Sequence, residues 1–349
     1  MNCPSGTSAL SPLYSQLQTS SGAVCRSAQC HQRTSAVDHA VGDEHNALAY
    51  CVFVLLIAAG VFMDVQIRQA KDADSEICGL ICYQAFKAIN DRHGFLSNLP
   101  SVEIATDRIR AFIKHPAIFA VIAEADGRVV GFNFLSEHDP IRGIGPIVID
   151  PAVQSKGIGR RLMAAVLERA RGARGIRLVQ EAFNMQSLAL YSGLGFEAKE
   201  FLVVMIGTPR SMPMSGYEVR RMEKADITDC ELLHQQVHGF PRTNELQDRL
   251  ATGSPIVAVR NGRIRAYIAV PTVWLASHGV AESDEDMRAL LLGAAQIEKA
   301  SLSFLLPIQF AKFFEWCLTE GFRTIKPMTI MSMGEYNDPK SIYFASVIY

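Results

Sequence analysis

Val148-Ile149-Asp150-Pro151-Ala152-Val153-Gln154-Ser155-Lys156-Gly157-Ile158-Gly159-Arg160-Arg161-Leu162 runs from an apolar segment through a turn into an amphipathic pattern. Ile147 to Ile149 is a short β-branched run, closed by the turn dipeptide Asp150-Pro151, and predicts a buried strand. From Gly159 onward Leu162, Met163, Val166, Leu167 and Ala170 recur at helical spacing, with Arg160, Arg161, Glu168, Arg169 and Arg171 between them. Both glycines fall where the helix opens, so bare N–H groups can approach a ligand with no Cβ in the way. Such a helix end carries orphan donors and the positive pole of the macrodipole, which together bind phosphate. Lys156 and Arg160 add mobile positive charge.

The spacing Gln154-x-x-Gly157-x-Gly159, after a strand and at a helix start, resembles the acetyl-CoA pyrophosphate loop of the GNAT superfamily of N-acyltransferases. A second motif follows at the family's distance. Arg177 to Ala182 reads as the next strand, and Asn184, Ser187, Leu190-Tyr191 and Gly195-Phe196 are similar to the family's Asn…Leu-Tyr…Gly-Phe segment. The resemblance covers roughly residues 65–205. It implies an α/β (α+β, mixed-sheet) GNAT fold and acetyl-CoA as cosubstrate, with no metal. The cosubstrate would lie against Ile147, Val148, Ile149, Gln154, Ser155, Lys156, Gly157, Ile158, Gly159 and Arg160, with Asn184 and Ser187 beside its pantetheine arm.

Acyl transfer from a thioester to an amine needs a neutral amine, a polarised carbonyl and a proton for the departing thiolate. An ordinary alkylammonium has a pKa of about 10.4, so deprotonation at neutrality costs roughly 4.6 kcal/mol and calls for a base. Backbone N–H groups of the central strand around Val148 are the expected donors to the thioester oxygen. Tyr191 sits where the resembled family places its general acid; the other reading is a structural hydroxyl or a pantetheine contact. Many family members carry a glutamate on the central strand, but Ile141 to Ile149 contains no carboxylate. The nearest acids are Glu137 and Asp139, with His138 between them; each is a candidate base, or else a solvated loop residue, and a water relay is equally open.

The chain has 349 residues, enough for two ordinary domains, and 34 basic against 35 acidic residues offer no electrostatic case for nucleic acid. The eight cysteines form no Cys-x-x-Cys and no histidine cluster completes a zinc set, which suits reduced thiols in a cytoplasmic protein. Residues 1–46 are rich in Ser, Thr, Gln and Ala and read as a disordered extension. Ala47 to Met63 is uncharged and apolar, at the lower limit for a bilayer span. It is either a single-span anchor for a cytoplasmic catalytic domain or the product of an early start codon.

A first domain is expected over 64–207. Val65 to Ile67 predicts its first strand, with Asp74 as N-cap of a helix over Glu76 to Ile89; Ser101 to Lys114 predicts a second helix. In the resembled family this helix–loop–helix walls the acceptor pocket, which makes Tyr83, Phe86, His93 and Phe95 candidate contacts, though aromatics at this spacing also serve as core. Phe119 to Glu124 and Arg128 to Leu135 flank Asp126-Gly127 as a hairpin. The strand Gly143 to Ile149 contains Gly145-Pro146, where a ladder hydrogen bond is missing.

After a linker at 208–216, the stretch 217–349 echoes the first half. Tyr217 to Arg221 with Ala225-Asp226 parallels Val65 to Arg68 with Ala73-Asp74, and Pro255 to Arg263 parallels the hairpin. Where the phosphate loop should stand, His278 to Asp286 holds four acids and no lysine or arginine, which would repel a pyrophosphate. A degenerate second copy is expected, shaping the acceptor pocket or acting as a structural partner, with Met328 to Met333 and the terminal Ser341 to Tyr349 packed across both halves. The functional expectation is an acetyl-CoA-dependent N-acetyltransferase acting on a small-molecule or peptide amine, as monomer or homodimer. The alternative is a non-catalytic acyl-CoA-binding sensor or scaffold protein.

Overall fold

The structure, a computed structural model, describes residues 64–154 and 156–347. The readings of 1–46 and 47–63, and that of Ser155, fall outside the described residues. Among the described residues no helix is long and apolar enough to cross a membrane.

The first half opens with β1 (Val65–Gln69), which leads through a short 3-10 turn into α1 (Ser75–His93). Asp74 stands at the N-cap position of α1, but its carboxylate makes no capping bond there. It takes a forked pair from Arg68 (2.8 and 2.9 Å) and the N–H of Lys71 (2.7 Å) instead. The helix ends at Gly94 in the left-handed region, and Ser101 caps α2 (Val102–Lys114) by accepting from Ile104 N–H. β2 (Ile118–Ala125) and β3 (Arg128–Ser136) form the expected hairpin about Asp126-Gly127, both with positive φ.

The expected continuous strand to Ile149 is two pieces, β4 (Ile141–Ile144) and β5 (Val148–Ile149), separated at the cis Gly145-Pro146 bond. Next come α3 (Ile158–Arg169), β6 (Gly175–Glu181), α4 (Met185–Ser192) and β7 (Glu197–Gly207). β4 runs parallel to β6 from Ile141↔Gly175 only as far as Gly143↔Arg177. Beyond that point the two strands part.

The second half repeats the plan. It contains β8 (Glu218–Arg221), α5 (Ile227–His238), α6 (Thr243–Thr252), β9 (Ile256–Arg260), β10 (Arg263–Ile268) and β11 (Gly279–Ala281). These are followed by α7 (Asp284–Glu298), β12 (Leu302–Pro307), α8 (Ala311–Glu320), β13 (Arg323–Gly334) and β14 (Tyr343–Phe344). Arg220 grips Asp226 with the same fork, again six residues apart, and Glu223 N–H adds the same 2.7 Å bond that Lys71 makes to Asp74.

The halves are not separate bodies divided at 208–216. β13 lies between β6 and β7 of the first half, with Met328 opposite Glu181 on one side and Leu202 on the other. β12 pairs the far edge of β7, so the large sheet runs β1-β2-β3-β4-β6-β13-β7-β12. The small sheet is β14-β11-β10-β9-β8. One core joins the two sheets: Leu202 and Val204 from β7 and Met328 and Ile330 from β13 meet Leu233, Val237 and Tyr267 of the second half. α1 and α2 cover one face of the first sheet, α3 and α4 the other.

Beside that shared core lie three buried histidines. Burial, with Arg242 next, pushes His234 down to about 3, although its Nδ1 hydrogen-bonds Phe240 O at 2.8 Å. His238 and His278 are also held well below the usual histidine range, first by burial, then by His234 and Arg242 respectively. His278 is therefore neutral near pH 7, and its 3.7 Å approach to Glu245 is not an ion pair there. Each folded-state pKa lies below the unfolded value of about 6.5, so the unfolded chain takes up the protons first as pH falls. The stability from these sites is complete above pH 6.5 and is lost on acidification, at up to about 4 kcal/mol per pH unit for the three together. Thermal melts between pH 7 and 4 are expected to show Tm falling steeply below about pH 6.5; a flat Tm over that range would contradict the neutral buried trio.

Candidate active site

Where β4–β5 and β6 diverge, two cavities meet. The larger, about 520 Å³, lies along the strand–turn–helix stretch. Ile147, Val148 and Ile149 form its floor, and Gln154, Gly157, Ile158, Gly159 and Arg160 its rim. Asn184, Ser187 and Tyr191 of the α4 segment close the opposite side. Lys156 lies outside this lining, on the exposed turn beside it.

Local sequence sets this geometry. Gly157 occupies the left-handed region (φ 79°), which a side chain resists, and this turn points the first N–H groups of α3 outward. At Gly159 a Cβ would stand 3.0 Å from Ile149 Cδ1 and 3.2 Å from Leu190 Cδ2, so glycine lets α3 start hard against β5 and α4. Asp150 N–H donates to Val130 at 2.9 Å. Alternation along the strand then turns the Ile149 N–H toward the gap, so the donor facing the cavity is Ile149 rather than Val148. Asn184 caps α4 through Oδ1, which accepts Ser187 N–H at 3.2 Å, leaving its Nδ2 for a ligand. In the second copy, Ser283 caps α7 and Asp284, Glu285 and Asp286 fill its first turn, so that helix end is neutralised by its own acids.

The second cavity, about 330 Å³, shares Phe86, Ile147, Glu181, Asn184, Ser187 and Tyr191 with the first. Its far wall comes from both halves, with Leu99, Ile109 and Phe112 facing Trp274, Leu275 and Val347. Tyr191 is 5% exposed; burial pushes its phenol up to about 12, against a hydrogen bond from Ser187. It remains protonated through the neutral range.

Glu181, which the reading of the sequence placed on a strand without a role, stands at the junction of the cavities. It pairs with Lys326 of β13 and accepts from Asn90 (3.2 Å) and Asn98 (3.4 Å). Burial pushes the Lys326 ammonium down, opposed by Glu181, and the ammonium lies 5.4 Å from the Trp274 ring centre. A lone carboxylate ending an apolar strand was the available signal. Its lysine partner, 145 residues away, was not visible. Arg92 and Gln186 also line the larger cavity and were likewise missed.

Glu137 and Asp139 line neither cavity. Glu137 is held by Arg169 at 3.0 Å. Asp139 is buried and accepts the N–H groups of Asn244 (3.1 Å) and Glu245 (3.2 Å), satisfying the first turn of α6. Burial raises its pKa, and those two N–H groups oppose the rise. Both carboxylates thus belong to structural contacts, and the expectation of a base at either position is corrected. Of the four aromatic candidates only Phe86 reaches the cavities; His93 and Phe95 pack on Phe183 at 4.9 and 4.6 Å, and Tyr83 lines neither.

His138 joins a group that the sequence did not bring together. Its Nε2 lies 2.7 Å from Asp248 Oδ2, and His115 Nε2 lies 3.4 Å from the same oxygen. His115 Nδ1 accepts the Ala117 N–H at 3.2 Å, which puts the proton of the neutral ring on Nε2 and disfavours that atom as a metal ligand. Together with Asn244 Nδ2, which donates to His138 O, the group joins the 136–140 loop to α6.

Residues 83–196 match the model of the Acetyltransferase (GNAT) family. Over 121 residues the chain is 34% identical to a mycothiol acetyltransferase of Amycolatopsis mediterranei, covering 32% of this chain and 40% of that protein. A mycothiol acetyltransferase of Thermomonospora curvata is 38% identical over 78 residues, 22% of this chain and 26% of the relative. The matches thus span well under half of these relatives. Among solved structures, a Pyrococcus horikoshii protein with a provisional acetyltransferase assignment superposes with a TM-score of 0.65 at 18% identity, covering 82% of this chain and 94% of its own. A tandem GNAT protein from the clavulanic acid biosynthesis pathway gives a TM-score of 0.51 at 14% identity, covering 78% and 100%. At those identities the structures speak to fold alone, and the fold they share is the tandem one described above. The glycine-opened helix, the splayed strands and the family match together mark residues 83–196 as a domain of the Acetyltransferase (GNAT) family.

Proposed function

We propose that the protein is an acetyl-CoA-dependent N-acetyltransferase that modifies the amine of a small molecule. The observation that carries this reading is the continuity of the two cavities across Tyr191 and Glu181, beneath a helix start whose N–H groups are bare. The pyrophosphate takes the N–H groups after Gly157, with Arg160 above, and Asn184 Nδ2 donates to the pantetheine arm. The thioester then lies in the gap, its oxygen within reach of the Ile149 N–H, and the amine enters from the smaller cavity.

Glu181 receives the ammonium proton, directly or through one water, and Tyr191 returns a proton to the leaving thiolate. A phenol pushed up to about 12 is a weak acid toward a thiolate whose conjugate acid lies near 8.5. Transfer is therefore driven by collapse of the tetrahedral intermediate, with the phenol serving mainly as a positioned donor. The second copy, lacking a phosphate loop, contributes Lys326 and Trp274 to the acceptor side.

In a calorimetric titration acetyl-CoA is expected to bind in the micromolar range, and thiol release should depend on an added amine. Gly157→Glu should weaken that binding at least tenfold, about 1.4 kcal/mol, by setting a carboxylate against the pyrophosphate. Nothing lies within 4 Å of a Cβ at that position, but its φ of 79° strains any side chain, so Gly157→Ala serves as the control that carries the same backbone strain without the charge and is expected to bind more tightly than Gly157→Glu. Unchanged affinity would remove the loop from the account. Binding with no thiol release for any amine would make the protein a holder of acyl-CoA.

Replacing Glu181 alone would strand the Lys326 charge in the interior, at about 3–5 kcal/mol. The pair Glu181→Gln with Lys326→Met avoids this and is expected to lower kcat by about 100-fold or more while acetyl-CoA affinity holds. Tyr191→Phe should also lower kcat, with little change in that affinity. Full activity in the double variant would exclude Glu181 as the base.

A further inference from the structure

The smaller cavity is apolar over most of its wall, yet three polar side chains enter it without partners for all their atoms. Gln180 is 5% exposed, and neither atom of its amide has a hydrogen bond. Arg108 of α2 has a buried Nη1 with no acceptor, and among the described residues no carboxylate lies within ion-pair distance of its guanidinium. Arg249 of α6 has a buried Nε in the same condition, while its Nη2 reaches Glu245 at 3.4 Å. Buried donors left unmade are costly and rare, so three on one cavity point to a ligand that satisfies them.

The charge balance indicates its sign. Glu181 is matched by Lys326, and Glu245 by Arg242 before Arg249 is counted. Asp139 also faces Arg242, and Arg249 shares Glu245, so the charge left without a carboxylate is that of Arg108, in a poorly solvated space where an anion is strongly attracted, with the unbonded Nε of Arg249 turned to the same chamber. Guanidinium forks fit carboxylates, and Gln180 adds a donor and an acceptor. Ile109, Phe112 and Trp274 supply an apolar wall, and a volume of about 330 Å³ admits a small molecule rather than a peptide.

We propose that this chamber takes an amine substrate bearing a carboxylate on an apolar body, the acid held by Arg108 and Arg249 with Gln180 alongside. Which end receives the amine rests on the acetyl-transfer reading above; the carboxylate site itself does not.

The test uses the full chain with phenylpropanoate and phenylpropanol, probes that differ only in the acid and cannot be acetylated on nitrogen. Calorimetry is expected to show the acid binding at least about tenfold more tightly than the alcohol, the scale of one charge-assisted hydrogen bond. Arg108→Met and Arg249→Met should each reduce that preference. In turnover, para-aminoethylbenzoate should exceed phenethylamine in kcat/KM by a similar factor. Equal binding of acid and alcohol by the unaltered protein overturns the proposal whether or not the variants fold, and so does an acid preference that survives both substitutions. If the acid binds through both arginines while no amine is acetylated, the carboxylate site stands and the acetyl-transfer reading fails.

Discussion

The strand Arg323–Gly334 lies between β6 and β7, and the rest of the molecule depends on that placement. Without it β6 and β7 would each present an open ladder of N–H and C=O groups. With it, the facing edges of both strands are paired and a strand of the second half is built into the sheet of the first. The same insertion brings Lys326 to Glu181 and presses Met328 and Ile330 into the core between the sheets. The second copy has lost its phosphate loop but supplies structure to the site of the first. Its helix start at Asp284–Asp286 is acidic, the opposite of what a bound phosphate would need.

The site arises from a failure of pairing on the opposite edge of β6. Parallel pairing with β4 stops at Gly143↔Arg177, and the cis Gly145-Pro146 bond follows, with Pro146 unable to donate a ladder bond. The strands therefore separate where the sequence places a proline, and the gap becomes the floor of both cavities. The groups proposed to act line it from rigid elements: Tyr191 from α4, Glu181 from β6 and the N–H groups at the start of α3. The 136–140 loop, polar enough to suggest chemistry, is used as a joint, with His138 on Asp248 and Asp139 on the start of α6.

The turn and helix start that open the larger cavity were legible from local signals. Gly157 and Gly159 mark a left-handed residue and a close approach, and a motif of that kind is complete within a few residues. The repeat was legible for the same reason, since the Arg68–Asp74 fork recurs at the same spacing in Arg220–Asp226. The carboxylate proposed as base was not legible. Glu137 and Asp139 stood nearest in sequence, whereas Glu181 acquires its place only when β13 folds back to bring Lys326 against it. The acceptor chamber was hidden likewise, because Arg108, Gln180 and Arg249 share a wall only after the halves have closed. That Met328 to Met333 packs across both halves was expected and is found, whereas its register between β6 and β7 is long-range pairing that no local pattern encodes.

The central claim is a division of labour, in which the first copy holds the cosubstrate and the second completes the acceptor side. Amide hydrogen exchange on the full chain, with and without acetyl-CoA, tests it most directly. The account predicts that acetyl-CoA slows exchange at the start of α3, from Gly157 to Arg161, and around Asn184 to Tyr191, while the Glu282–Asp286 helix start is unchanged. Protection centred on Glu282–Asp286, or no local protection at saturating acetyl-CoA, would contradict it.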